Sequence, residues 1–185
     1  MRKVVLYQLM SLDGVAEEPG DWLFDSDEAI FGNLARVIGE QDAVLLGRRT
    51  YEYWVDYWPT SQVEPFASFI NSTEKHVFSS SRLSKEWSKS TVVTSPAAEY
   101  VAALKQQPGR SIGIHGSIEL ARSLLRARLV DELELVIAPS IAGTGRRLFE
   151  GDDELQKLDL VELVRSPSGS TLAHYVLNPA QAGPR

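Results

Sequence analysis

Ile112-Gly-Ile-His-Gly-Ser-Ile-Glu-Leu120, running on to Leu129-Val-Asp-Glu-Leu133, is the stretch that decides the fold. Ile112 to Ile114 has the short apolar character of a buried strand. The run breaks at His115-Gly116-Ser117, after which Ile118, Ala121 and Leu125 recur at helical spacing with Leu124 beside them. From Asp131 to Ala138 the pattern alternates, with Leu133, Leu135 and Ile137 on one face. Strand, helix, strand in this order predicts a right-handed crossover whose strands pair in parallel. Small residues at the first strand-to-helix join leave backbone N–H groups open at a helix N-terminus, which suits a phosphate. Ser117 is equally well explained as an ordinary N-cap. Glu119, in the first turn, suits the helix dipole but repels a phosphate nearby.

Upstream, Lys3 to Met10 reads as a buried strand closed by the turn residues Ser11-Leu-Asp-Gly14. The irregular stretch from Val15 to Phe24 has the length and position of a functional loop. Asp25 or Ser26 is the expected cap of a helix with Ile30, Leu34, Val37 and Ile38 as its apolar stripe. A second strand, Asp42 to Gly47, leads into a helical turn at Arg48 to Trp54, and Val63 to Ile70 reads as a short helix. Strands are expected at Lys75 to Phe78 and Thr91 to Thr94, and a helix from Ala97 to Gln106 opens after Pro96. Leu158 to Val164 and Thr171 to Leu177 flank Pro167-Ser-Gly169 as an antiparallel hairpin. The order predicts an α/β domain with a mixed, mostly parallel sheet flanked by helices and ending in that hairpin. It spans 1–178, with 179–185 a frayed tail.

Composition narrows the function. A chain of 185 residues supports one substantial domain. A net charge of −6 argues against a general nucleic-acid binder, although Arg48-Arg49 and Arg146-Arg147 can meet a phosphorylated small molecule. No apolar run is long enough to span a membrane, and the N-terminus reads as a strand and not a signal peptide. With no cysteine, disulfide and thiolate chemistry are excluded, and a cytoplasmic location is the default. His76, His115 and His174 lack metal-ligand spacing, so no metal site is expected.

Three expected strands end in small or polar residues: at Gly47-Arg48-Arg49-Thr50, at Ser79-Ser80-Ser81, and at His115-Gly116-Ser117. Ligands of open α/β sheets bind outside the carboxyl ends of strands. If these three strands are neighbours, arginines, hydroxyls and free N–H groups line one crevice suited to several phosphates. The usual dinucleotide fingerprint, a Walker sequence and a nucleophile elbow are all absent. Trp22, Tyr51, Trp54, Tyr57 and Trp58 are mostly expected in the core, with one or two free to face a flat heterocycle.

Ser11-Leu-Asp-Gly14, Leu46-Gly-Arg-Arg-Thr-Tyr51, Trp58-Pro59, Lys75-His-Val-Phe-Ser-Ser80, Gly116-Ser-Ile-Glu-Leu120, Leu129-Val-Asp-Glu-Leu133 and Pro139-Ser-Ile-Ala-Gly-Thr-Gly145 run nearly the whole chain. In this order they resemble the dihydrofolate reductase-like superfamily, in the branch shared with the reductase domain of riboflavin biosynthesis. The resemblance implies an NADPH cofactor. Gly47, Arg48, Arg49 and Thr50 would hold the adenosine phosphates, with Arg48 the main 2′-phosphate ligand. Ser79, Ser80 and Ser81 would lie beside the adenine ribose. Gly116 and Ser117 would meet the pyrophosphate, with His115 and Ile118 flanking them. Gly14 and Val15 would lie near the nicotinamide, and Asp13 would be the catalytic proton donor, with a bound water as the alternative. The family's usual Gly-Gly pair is here Gly116-Ser117, and a Cβ at the second position narrows the backbone approach. The fused deaminase is absent and no zinc-ligand set replaces it. The expected activity is hydride transfer from NADPH to a C=N bond of a small substrate, a pterin-like or pyrimidine heterocycle. A non-catalytic nucleotide-binding regulator, supported only by Ser117, and a flavin- or deazaflavin-using reductase are the alternatives. The C-terminal hairpin is expected to form a homodimer, because its strands carry apolar residues on both faces.

Overall fold

β1 (Val4–Ser11) is buried on both faces along almost its whole length, which forces it into the interior of a covered sheet. The computed structural model describes residues 1–151 and 155–177. After β1 come α1 (Glu28–Gly39), β2 (Gln41–Gly47), α2 (Arg48–Tyr57), α3 (Phe66–Ser72), β3 (Glu74–Phe78) and β4 (Ser90–Val93). Then follow α4 (Ala97–Lys105), β5 (Ser111–His115), α5 (Ile118–Arg126), β6 (Glu132–Ala138), β7 (Leu158–Arg165) and β8 (Thr171–Leu177). The strands form one eight-stranded sheet in the order β4-β3-β2-β5-β1-β6-β8-β7. The first six in that order run parallel, and β8 and β7 are antiparallel. The fold class is therefore the one expected: mixed α/β with a C-terminal antiparallel pair.

Helices cover both faces. On one, Val4, Leu6 and Met10 of β1 pack with Val101 and Leu104 of α4 and with Leu120, Ala121 and Leu124 of α5. On the other, Val5 and Tyr7 meet Ile30 and Val37 of α1. Farther along that sheet Val44, Leu46 and Val77 meet Tyr51 and Val55 of α2 and Phe66 and Ile70 of α3. Among the described residues no helix is long and apolar enough to cross a membrane.

Three local expectations are corrected. The strands of the unit β5–α5–β6 are parallel but do not pair with each other, because β1 lies between them and bonds both. The doubly buried strand takes the position with the most cover, and the crossover passes over it. The helix expected from Val63 begins at Phe66, since Pro65 disfavours a helical conformation at the residue before it. The cap of α1 is Asp27, and neither Asp25 nor Ser26 takes that role. The tail 179–185, residue 178 and part of the loop 142–153 lie outside the described residues.

Asp27 does more than cap. One carboxylate oxygen accepts the N–H groups of Ala29 and Ile30 at 3.0 and 3.1 Å, and the other accepts that of Ser168 at 2.7 Å. The Ser168 bond, with the helix bonds behind it, holds the Asp27 carboxyl well below the usual range. One side chain thus pins the start of α1 to the β7–β8 turn. Asp27→Ala is expected to lower the thermal unfolding midpoint, while Asp25→Ala and Ser26→Ala leave it unchanged, as followed by circular dichroism.

Candidate active site

β3, β2 and β5 are neighbours, so the three polar strand ends do converge. Gly47 pairs with Phe78 across β2 and β3, and Leu45 pairs with Ile114 across β2 and β5. α2 and α5 therefore start side by side at the same edge of the sheet. Two hydrogen bonds fasten them. The Gly47 N–H donates to Ser117 Oγ at 3.0 Å, and Thr50 Oγ1 donates to the Gly116 carbonyl at 3.1 Å. Two helix N-termini then lie together beyond the carboxyl ends of β2 and β5, and their dipoles add in favour of an anion in any crevice between them.

The departure from a Gly-Gly pair is accommodated by this packing. Ser117 sits at φ −99°, which needs no glycine, and its side chain is buried against Gly47. Ser117 is the N-cap residue of α5, but its hydroxyl makes no capping bond and serves Gly47 instead. Gly116, in contrast, is required as glycine. It holds φ +65°, and a Cβ there would lie 2.9 Å from Trp54 Cζ2. Trp54 begins an aromatic wall that runs through Phe66, 5.5 Å away between ring centroids, to His115, 5.2 Å farther.

The other expected residues divide by where their side chains go. Arg48 and Arg49 are exposed at the start of α2, with Arg48 3.7 Å from Glu52 and Arg49 3.5 Å from Glu17. Ser80 and Ser81 are open, whereas the Ser79 hydroxyl is consumed within its own turn, donating to the Ser81 carbonyl and accepting the Ser81 N–H. His115 faces inward, 2.8 Å from Gln41 Oε1, and burial lowers its pKa to about 3. It is a neutral core histidine, and only its backbone borders the crevice. Ile118 and Val15 are likewise buried in apolar clusters and offer only backbone there. Among the described residues no set of His, Asp or Glu side chains gathers as a metal site.

Asp13 is placed at the crevice. Its carboxylate accepts from Ser11 Oγ at 2.7 Å, from the Ala142 N–H at 2.9 Å and from the Gly143 N–H at 3.0 Å. Arg147 lies 3.4 Å away and also donates to the Asp13 carbonyl at 2.9 Å. The Ser11 hydroxyl and the loop amides hold the Asp13 pKa down to about 2. Through these contacts the carboxylate staples the first loop to residues 142–147.

These features match a known family. The model of the RibD C-terminal domain matches residues 2–172. The chain belongs to that family. The uncharacterised protein YwjB of Bacillus subtilis (strain 168) is 32% identical over 151 residues, which cover 80% of this chain and 83% of YwjB. A Shewanella sp. PV-4 protein with a provisional riboflavin-biosynthesis name superposes with a TM-score of 0.78 at 16% identity, over 95% of this chain and 99% of that one. Dihydrofolate reductase from Enterococcus faecalis, solved with NADP(H), superposes with a TM-score of 0.63 at 15% identity, over 95% and 96%. Sequence thus places the chain in the RibD C-terminal domain family, and superposition shows that its fold is dihydrofolate reductase-like.

The first loop also pairs with residues 142–148, a contact that no local sequence pattern marks. Val15 bridges to Arg147, and the Ala16 and Leu148 N–H groups donate to the Arg146 and Gly14 carbonyls. The one available signal was complementary charge, with Asp13 and Glu17 on one loop and Arg146-Arg147 on the other. The Asp13 staple gives a test with a fixed sign. A carboxylate whose folded pKa lies below its ordinary 3.8 stabilises the fold above that value, and the contribution is lost as pH falls from about 3.8 through about 2. The Ala142 and Gly143 amide resonances of this RibD-family protein should therefore titrate with a midpoint near the lower figure. A midpoint at the ordinary value would remove the staple.

Proposed function

We propose that the protein is an NADPH-dependent reductase acting on a C=N bond of a small flat heterocycle, pterin-like or pyrimidine. The observation that carries this reading is the crevice where α2 and α5 start together, held by Gly47–Ser117 and Thr50–Gly116. The chemistry that NADPH supplies when bound is a hydride from nicotinamide C4 to the carbon of the C=N bond. The chain's own residues bind and orient. Amide groups at the two helix starts receive the diphosphate, Arg48 with Ser80 and Ser81 receives the 2′-phosphate, and the Trp54 wall excludes water. The substrate nitrogen takes its proton from water, since Asp13 is ionised and His115 is buried and neutral. The family's fold and its dihydrofolate reductase relative with NADP(H) support the same reading. The Ser117 side chain, on which the non-catalytic alternative rests, packs on Gly47 and accepts its N–H. A cytoplasmic location belongs to the same proposal, on the cysteine-free composition.

The reading extends to a homodimer. β7 ends the sheet, and Leu160, Val161, Leu163 and Val164 are each between 42% and 58% exposed along it. β8 covers the domain's own core with Leu172 and Ala173, so among the described residues β7 is left with both faces and one edge open. A long apolar edge strand invites pairing, and a second copy across a twofold axis covers edge and patch together.

Tryptophan fluorescence titration should show NADPH binding more tightly than NADH, with Arg48→Ala weakening NADPH about tenfold and NADH little. Equal loss for both cofactors would remove Arg48 from the 2′-phosphate. Turnover is read as NADPH oxidation across pterins and pyrimidines, and absence of turnover on the whole panel counts against the C=N assignment. Light scattering at micromolar concentration should give twice the chain mass of 20.5 kDa, whereas a monomer mass unchanged on concentration rules the dimer out.

A further inference from the structure

A chain of alternating charge crosses the mouth of the crevice. Arg49, the second residue of α2, lies 3.5 Å from Glu17 Oε1, and Arg146 Nε donates to the same oxygen at 2.8 Å. The backbone N–H of Arg146 donates to the other Glu17 oxygen at 3.2 Å. From Arg146 the chain continues to Glu119 at 4.0 Å, and Arg122 stands 3.7 Å from Glu119 and 3.9 Å from Glu150. One carboxylate therefore receives two guanidinium groups and a main-chain N–H beside a helix N-terminus. That donor set is what a phosphoryl group calls for: charged forks, an amide and a helix dipole. The Arg146 guanidinium leads these contacts in holding the Glu17 carboxyl below its usual range.

We infer that Arg49, Arg146 and the Arg146 N–H form an anion subsite, that Glu17 occupies it in the free protein, and that a phosphoryl group of the entering ligand takes its place. The inference rests on the reductase reading only in that this reading brings a phosphorylated ligand to the crevice. The exchange asks little of the backbone. Trp22 Nε1 donates to the Glu17 carbonyl at 2.8 Å, so the main chain stays anchored while the side chain rotates out. Glu17 and Arg146 are both partly open to water, so their attraction is screened and the carboxylate is displaceable. A diphosphate brings two charges against its one and is also met by the N–H groups of two helices. The released Glu17 then repels the anion unless it leaves the mouth, so the free protein discriminates against weak anions such as a lone carboxylate. The phosphoryl group belongs to the cofactor's diphosphate or to a phosphate on the substrate, and the two sources are separable.

The test is equilibrium binding to the full chain at low ionic strength, followed by tryptophan fluorescence and calorimetry. The proteins are wild type, Glu17→Gln, and Glu99→Gln as a remote control with the same charge change. The ligands are NADPH and ribose 5-phosphate, the latter titrated both with and without saturating NADPH. Glu17→Gln should tighten one ligand about tenfold, and Glu99→Gln neither. A gain for NADPH assigns the subsite to the cofactor, and a gain for ribose 5-phosphate assigns it to the substrate. Arg146→Met should weaken the same ligand about tenfold, which keeps the test decisive if Glu17→Gln fails to fold. If wild type binds NADPH and neither variant shifts either ligand, the subsite is wrong while the reductase reading stands. If NADPH binds no variant but ribose 5-phosphate gains with Glu17→Gln, the reductase reading falls and the subsite stands. If no protein binds either ligand, both fall.

Discussion

The bond from the Gly47 N–H to the Ser117 hydroxyl is the contact on which the rest of the crevice depends. It ties the end of β2 to the start of α5 across the boundary between two strand-helix units. The Ser117 hydroxyl satisfies the part-buried N–H of Gly47, and even a Cβ at Gly47 would meet Ser117 only at ordinary contact distance. Thr50 repeats the arrangement one turn on by donating to Gly116. The helix starts are thereby held at a fixed separation before any ligand arrives. Preorganised N–H groups of this kind bind an anion without the cost of ordering the loop at that moment.

Charge is distributed on the same plan. The protein is acidic overall, with a net charge of −6, yet Arg48, Arg49, Arg146 and Arg147 all stand at this end of the sheet. Each has a carboxylate of the chain's own beside it: Arg48 has Glu52, Arg49 and Arg146 have Glu17, and Arg147 has Asp13. The two first-loop carboxylates serve different ends. Asp13 is met by a hydroxyl, two main-chain N–H groups and Arg147, so it is a fixed part of the architecture. Glu17 is met mainly by guanidinium groups, the partners a phosphoryl group would also choose.

The sequence was most informative where physics is local and repeated. The mostly apolar run at β1, broken only by Gln8 before it ends at Ser11, and the helical spacing of Ile30, Leu34, Val37 and Ile38 follow from burial, and both elements are where that pattern puts them. The convergence of three polar strand ends followed from the strand-end rule once β3, β2 and β5 proved to be neighbours. What was illegible depends on partners distant in the chain. The cap of α1 was expected at Asp25 or Ser26, and Asp27 prevails because its second oxygen reaches Ser168 on the far hairpin. The staple made by Asp13 is equally hidden, since its partners are the amides of Ala142 and Gly143 far along the chain. His115 sits in a loop-forming sequence, yet Gln41 and the ring of Phe66 draw it into the core.

The central claim is that two fastened helix starts make a diphosphate site. A crystal structure of the protein with NADPH tests it most directly. The account predicts the diphosphate within hydrogen-bonding distance of main-chain N–H groups at the starts of both α2 and α5, with the Gly47–Ser117 bond retained. NADPH lodged elsewhere, for instance in the groove of about 770 Å³ beside β4 lined by Arg82, Lys85 and Trp87, would contradict it.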